Sequence, residues 1–367
     1  MSRFFTTGAV TAVGVFGIVL LGGCELGKKQ TTQTGYRGTG LEQIVDVDNV
    51  IKAGAIPPEP YPLPPDGGPT AAESYQNLKV LGGLSKDRFD HLMAEITQWV
   101  APPEQGCNYC HNPENLASDE KYTKVVARRM VQMTQNVNAR WASHVKQTGV
   151  TCYTCHRGAP VPANIWATAD GTPNPGSILG NRHGQNAPDP IVGFASLPSD
   201  PLEAYLNGNG RIRVAADTAL PNPGHVVSIK DAEKSYGLMM HISSSLGVNC
   251  TYCHNSQSFR SWSLSRAQRA TAYYGIRMVR DINVDYIGPL QPIFPVNRKG
   301  PHGDPYKVSC ATCHQGQSKP LGGVSMIAQA PVLRGGPRPI APAEGGPGAA
   351  TTVPAAFRTP RAMTDSQ

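Results

Sequence analysis

Apolar residues recur at three- and four-residue spacing in four stretches of the chain, and turn-rich segments separate them. From 85 to 100, Phe89, Leu92, Met93, Ile96 and Val100 share a face, with Ser85 placed as N-cap. From 119 to about 145 the stripe is Tyr122, Val125, Val126, Met130, Met133, Val137 and Trp141. A third helix, from 228 to about 246, carries Met239 and Met240 behind Ser228 and Asp231 in capping-box spacing. The fourth, 265 to about 285, sets Tyr273, Ile276, Val279 and Ile282 on one side. Between them, 158–224 is rich in Pro, Gly and Asn and predicts a connector. Residues 25 to about 80 are polar, then proline-rich, and predict an extended strap. Past about 330 the chain is Pro, Gly and Ala, the composition of a disordered tail.

The pattern occurs twice, over about 84–158 and 228–316, and Arg129-Met130-Val131 in the first copy matches Arg277-Met278-Val279 in the second. The fold expected is mainly α with extensive irregular loops, built from two related units joined by a long connector. With 39 Gly and 33 Pro in 367 residues and only 16% charged residues, neither a coiled coil nor a compact α/β enzyme fits. Several long apolar runs, which a multispan membrane protein needs, are also missing. The core must be filled in part by something other than side chains.

Eight of the nine cysteines say what fills it. They form Cys107-Asn-Tyr-Cys110-His111, Cys152-Tyr-Thr-Cys155-His156, Cys250-Thr-Tyr-Cys253-His254 and Cys310-Ala-Thr-Cys313-His314. Two thiols two residues apart reach the two vinyl groups of one haem, and the His that follows lies under the iron. A redox dithiol or a zinc site needs no His directly after every second Cys. Four covalently bound c-type haems are therefore expected, and their macrocycles supply the missing apolar area.

The ninth cysteine, Cys24, ends a basic start at Arg3, an apolar run from Phe4 to Leu21, and Gly22-Gly23. That is an export signal with a small-residue cleavage site. Leu21-Gly22-Gly23-Cys24 resembles a bacterial lipoprotein box, which implies cleavage before Cys24 and its acylation, so residues 1–23 are expected to be removed. Loss of 1–23 subtracts only Arg3 and takes the formal charge from +7 to +6. Eight haem propionates offset more than that, so the basic balance argues for no nucleic-acid partner.

The second axial ligands must be Met or His on the helices beside each motif, and Met ligation raises the potential over bis-His. Met93 lies 14 residues before Cys107, Met130 lies 22 before Cys152 and Met239 lies 11 before Cys250. Met133 and Met240 are neighbouring alternatives. For the fourth haem the repeat points to Met278, and His144 competes. His91, His183, His225, His241 and His302 have no such spacing and read as surface or structural.

At these residues the chain resembles the tetrahaem cytochrome c subunit of the photosynthetic reaction centre of purple bacteria, from Cys24 to about Gln317. The resemblance implies three Met/His haems and one bis-His haem, whose sixth ligand comes from a His shortly before the second motif. His144 stands eight residues before Cys152. It therefore pairs with His314, leaving Met278 as packing, while Met93 goes with His111, Met130 with His156 and Met239 with His254. It also implies electron transfer without bond chemistry, on the periplasmic face of the photosynthetic membrane. The partners are core subunits of L and M type carrying bacteriochlorophyll, and a soluble donor, either a small c-type cytochrome or a high-potential iron–sulfur protein. The third haem would lie nearest the special pair, with Arg266 or Arg269 raising its potential. The division expected is signal 1–23, strap 24–83, first haem pair 84–165, connector 166–227, second haem pair 228–320 and tail 321–367. A multihaem reductase would need an open iron site, and a free-standing bis-His carrier about eight ligand histidines. Neither suits this inventory.

Overall fold

The computed structural model describes residues 27–34, 41–168, 189–198, 200–212, 214 and 229–335. The export signal, Cys24, His183, His225 and residues 336–367 lie outside the described residues. Within them the chain is mainly helical, with long loops and one small sheet.

The strap is more regular than its composition predicts. Strands β1 (Lys29–Thr34) and β2 (Leu41–Asp46) pair antiparallel, with Lys29 opposite Asp46 and Thr34 opposite Leu41. The salt bridge from Lys29 to Asp46 closes the open end at 2.5 Å. Helix α1 (Val47–Ala53) follows at once, because the Asp46 carboxylate caps the Asn49 N–H. Helix α2 (Ala71–Ser74) starts from a full capping box between Thr70 and Glu73.

The four expected long helices form. They are α3 (Lys86–Val100), α4 (Tyr122–Arg140), α7 (Ile229–Leu246) and α8 (Ala267–Asp281). Two differ at their C-terminal ends. Past α4, Trp141 breaks the ladder and a short helix α5 (Ala142–Val145) carries His144. Past α8 the chain widens into a π-helical turn, Ile282–Ile287. Helices α6 (Cys152–His156) and α9 (Cys310–His314) are the second and fourth Cys-x-x-Cys-His motifs themselves.

Two apolar cores share α4. Val137 joins Leu206, Leu238, Ile276 and Ile282 in one, while Val131 joins Leu92, Trp99, Ile327 and Leu333 in the other. Both contain segments that composition assigned to loops. In the connector, Val192, Leu202, Tyr205 and Leu206 are buried against α7 and α8. The expected tail boundary at 321 also moves: Leu321, Met326, Ile327, Ala330 and Leu333 are all buried. Residues 321–335 belong to the folded body, because their apolar side chains close the second core.

Candidate haem sites

The four Cys-x-x-Cys-His motifs adopt two local structures. The second and fourth are single helical turns with matching caps. In one, Thr151 and Thr154 bond reciprocally; in the other, Ser309 and Thr312 do. Both end on a left-handed residue, Arg157 or Gln315, followed by a glycine at positive φ, Gly158 or Gly316. The first and third are 3₁₀ turns, and each runs into an Asx turn at Asn112 or Asn255. His156 and His314 are well enclosed, whereas His111 and His254 lie nearer the surface.

Asparagine side chains hold the second and fourth motifs in place. Asn138 donates to the Val150 carbonyl at 2.9 Å and accepts from the Val150 N–H at 2.8 Å, two residues before Cys152. Asn283 does the same to Val308, at 3.0 and 2.9 Å, two residues before Cys310. Each amide has a further bond to a distant carbonyl, Leu333 or Leu206, at 2.8 Å.

The histidines share one feature. His111 Nδ1 contacts the Leu116 carbonyl at 3.2 Å, and His254 Nδ1 the Phe259 carbonyl at 3.1 Å, both five residues on. His156 Nδ1 contacts the Ala159 carbonyl at 2.9 Å, and His314 Nδ1 the Gln317 carbonyl at 2.8 Å, both three residues on. His144 Nδ1 contacts the Thr271 carbonyl at 2.9 Å. A carbonyl on Nδ1 fixes the tautomer with its proton there and leaves Nε2 bare for a metal. Burial pushes the imidazoles of His144, His156 and His254 down, and that of His314 down to about 4, so they stay neutral.

The second motif opens on an apolar cavity of about 240 Å³ whose walls include Met130, Cys152, Cys155 and His156. The residues expected to hold the second haem therefore face one space, with Cys155 engaged to Cys313. Met278 and Met133 line the same cavity. Met278 thus sits by the second motif, while the fourth motif's His314 meets His144, with ring centroids 6.1 Å apart. Two imidazoles on opposite sides of one metal, each nitrogen about 2 Å from it, need a separation near that value. Room for the His144 ring is made by Gly275 on α8, where a Cβ would stand 2.5 Å from His144 Cε1. The residues present fit c-type haem.

At the first motif, Thr97 on α3 donates to the Met93 carbonyl at 2.8 Å and lies 3.9 Å from Cys107 Sγ, which sets Met93's helix against that motif. At the third, Met239 packs on the first core, and Met240 lines an open groove with Gln43 and Asn249. Arg266 donates its backbone N–H to the Cys253 carbonyl, and the Arg269 guanidinium lies 4.0 Å from the Trp262 ring centre. Burial pushes the Cys253 thiol up to about 11, and both arginines pull against it.

Cys155 and Cys313 are joined as a disulfide, Cα to Cα 4.6 Å. A sulfur in a disulfide has no thiol to add to a vinyl group. The expectation of thioethers at these two positions departs from this bonding state and requires the reduced pair. Of the remaining histidines, His91 and His241 are buried and structural. The Tyr61 carbonyl occupies His91 Nε2 at 2.8 Å; His241 has Nδ1 on the Ile191 carbonyl at 2.9 Å like the motif histidines, but its Nε2 is engaged as well, by Ser245 Oγ at 3.4 Å. His302 is exposed.

Paired thiols, neutral Nε2-directed imidazoles and an apolar slot define a c-type cytochrome. The profile of the family described as "photosynthetic reaction centre cytochrome C subunit" matches residues 25–334. The chain is 50% identical over 329 residues to the photosynthetic reaction center cytochrome c subunit of Rubrivivax gelatinosus, covering 89% of each chain. It is 48% identical over 324 residues to that of Thermochromatium tepidum, covering 88% of this chain and 79% of the relative. To that of Roseobacter denitrificans it is 40% identical over 349 residues, covering 89% and 93%. The chain belongs to the family of photosynthetic reaction centre cytochrome c subunits. It is an electron-transfer protein with covalently bound c-type haem, not an enzyme.

Proposed function

We propose that the chain holds four c-type haems and passes electrons from a soluble periplasmic donor to the photo-oxidised special pair of bacteriochlorophyll. The carrying observation is the set of five histidines, His111, His144, His156, His254 and His314, each with Nδ1 on a backbone carbonyl. Four are the motif histidines and the fifth faces His314. The thioether sulfurs are those of Cys107 and Cys110, Cys152 and Cys155, Cys250 and Cys253, Cys310 and Cys313. The opposite ligands are Met93, Met130, Met239 and, for His314, His144. When bound, each haem supplies a one-electron iron couple. The protein's work is to fix ligand identity, exclude water and set the spacing.

The two-unit, two-haem-pair architecture is supported by the matching caps, Asx turns and asparagine clamps. It is supported too by packing, since α3 lies on α6 and α7 on α9. Two observations favour the third motif as the end that faces L- and M-type core subunits. Phe259, Trp262 and Leu264 beside it are exposed apolar side chains. The N-terminal hairpin is also tied there, with Gln43 donating to the Gly247 carbonyl at 2.9 Å and accepting from the Asn249 N–H at 3.3 Å. Cys24 is only eight residues from Thr32, the cross-strand partner of Gln43, so an acyl anchor on it would hold this end within about 29 Å of the bilayer surface. Among the described residues no helix is long and apolar enough to cross a membrane. The donor, a small c-type cytochrome or a high-potential iron–sulfur protein, would then meet the first-motif end.

Peptide mass mapping of the purified complex tests the haem assignment. Haem on all four motif peptides supports it, and an unmodified motif in a fully matured sample overturns it. Redox titration of the same sample should resolve one low-potential bis-His haem among three Met/His haems.

A further inference from the structure

Helix α8 and the π-helical turn after it hold the corner between α4 and α5 at several points. Thr271 gives its carbonyl to His144 Nδ1 at 2.9 Å, and Gly275 leaves the gap that takes the His144 ring. Asp281, the last residue of α8, accepts twice on one oxygen, from Asn136 Nδ2 at 2.7 Å and from Trp141 Nε1 at 2.8 Å. Trp141 is the residue that ends α4 and starts α5, three places before His144. Further on, Arg129 of α4 donates to the Asp285 carbonyl and lies 5.0 Å from the Tyr286 ring centre.

A second carboxyl stands beside that of Asp281. Asp285, four residues on in the π-helical turn, is hydrogen-bonded to it side chain to side chain. Ionised carboxylates only accept, so this bond requires a proton. Two N–H groups on Asp281 favour its ionised form, so the proton sits on Asp285, whose O–H donates to Asp281. Burial, this bond and the Asp281 charge raise the Asp285 carboxyl from 3.8 to about 6, while Arg140 and Arg129 on α4 pull against them. On the turn itself the Tyr286 phenol is pushed up to about 12 and stays neutral. Charges on the connector side are engaged elsewhere: Glu203 accepts from Thr168 and Asn207, and Arg280 donates to the Tyr205 carbonyl and to Asn209. From α9, His314 faces His144.

We propose that Asp281 and Asp285 form a one-proton lock on the α4–α5 corner, with Asp281 as the positioning residue for His144. While Asp285 keeps its proton, Asp281 holds the Trp141 indole and α5 is docked on α8. When Asp285 ionises, its proton passes to water and only the O–H bond breaks. Two like charges four residues apart then repel and draw Asp281 off the indole. Acid therefore tightens the corner and alkali loosens it. The lock itself needs no haem, and its effect on the fourth site rests on the assignment of His144 as a ligand there.

Asp285→Asn tests the lock, because its amide donates to Asp281 as the protonated carboxyl does and cannot ionise. Backbone hydrogen exchange over 141–146 is compared between the native chain and this variant in the intact membrane complex, at the same pH so that intrinsic rates cancel. His144, Val145 and Lys146 are the amides that close α5, and they report the corner. At about pH 5 the two proteins should be equally protected, and at about pH 8 the native chain should exchange severalfold faster. The native chain should also show a protonated-carboxyl infrared band that titrates between these values and is missing from Asp285→Asn. Asp281→Ala, which takes the acceptor from Trp141, should exchange fast at both. Equal protection of native and Asp285→Asn at about pH 8 overturns the proposal, and so does a native chain without the titrating band. Should Asp281→Ala fail to fold, the comparison of native with Asp285→Asn decides alone. A complex without a bis-His haem whose corner still follows pH breaks the ligand assignment and supports the lock. A bis-His haem beside a corner indifferent to pH breaks only this inference.

Discussion

The imidazole of His144 faces that of His314 at 6.1 Å between centroids, with the planes inclined at 71°. Both rings have Nδ1 committed to a carbonyl, so Nε2 is the free nitrogen on each side. In the proposed assignment this juxtaposition separates the fourth site from the other three. His144→Met should turn it into a Met/His site and raise its potential by an amount of order 100 mV, within the roughly 0.8 V that axial ligation spans. Redox titration checks this. An unchanged fourth potential would mean that His144 is not the ligand.

Gly275 is expected to be intolerant for the same reason. In Gly275→Ala the new methyl would meet the His144 ring at 2.5 to 2.8 Å, and both backbones are fixed by helices. Overpacking of this kind costs about 1–3 kcal/mol. The bis-His spectral signature should weaken in this variant while the Met/His haems keep theirs, and thermal unfolding should shift down.

Asn138 and Asn283 should each be worth more than an ordinary hydrogen bond. Alanine at either position strips both groups of a residue two places before a haem cysteine, and a third carbonyl besides. Leaving such groups unpaired costs about 1–3 kcal/mol. Denaturation of the two single variants should show similar losses, with altered potentials confined to the second haem for Asn138→Ala and to the fourth for Asn283→Ala.

Glu95 gives the chain a pH dependence. Both its carboxyl oxygens are buried without a hydrogen bond, and His91 Nδ1 lies 3.7 Å away, too far to supply one. Burial raises the Glu95 carboxyl to about 8, against an ordinary value of 4.5. Between these values the folded chain keeps a proton that the unfolded chain has released, so stability falls as pH rises from about 4.5 to about 8. Glu95→Gln should flatten that slope and be the more stable chain at pH 8. Denaturant midpoints across this range check it, and an unchanged slope would assign the pH dependence elsewhere.

Legibility in the sequence followed the strength of each local signal. The four long helices were readable because stripes such as Phe89, Leu92, Met93 and Ile96 repeat over several turns. The motifs were readable because covalent chemistry fixes both residue types and spacing. The hairpin was not: Lys-Gln-Thr-Thr-Gln-Thr has no apolar alternation, and its position comes from pairing and from the Gln43–Asn249 tie. Leu202, Tyr205 and Leu206, and likewise Met326, Ile327 and Leu333, were hidden among Pro, Gly and Asn. Average composition outweighed a few apolar residues whose partners are distant. The expectation that His144 lies by His314 came from the family resemblance, since the repeat alone pointed to Met278; the two rings do adjoin. The adjacency of Cys155 and Cys313 had no signal in the sequence, because it arises where two helical turns meet.

The central claim is that this chain feeds electrons to a reaction centre. It is tested most directly by a single short flash on native membranes poised with every haem reduced, following the c-haem α-band. Fast bleaching of one haem, then slower recovery through the soluble donor, is the predicted result. An α-band that does not respond, with the chain present and its haems reduced, would contradict the account.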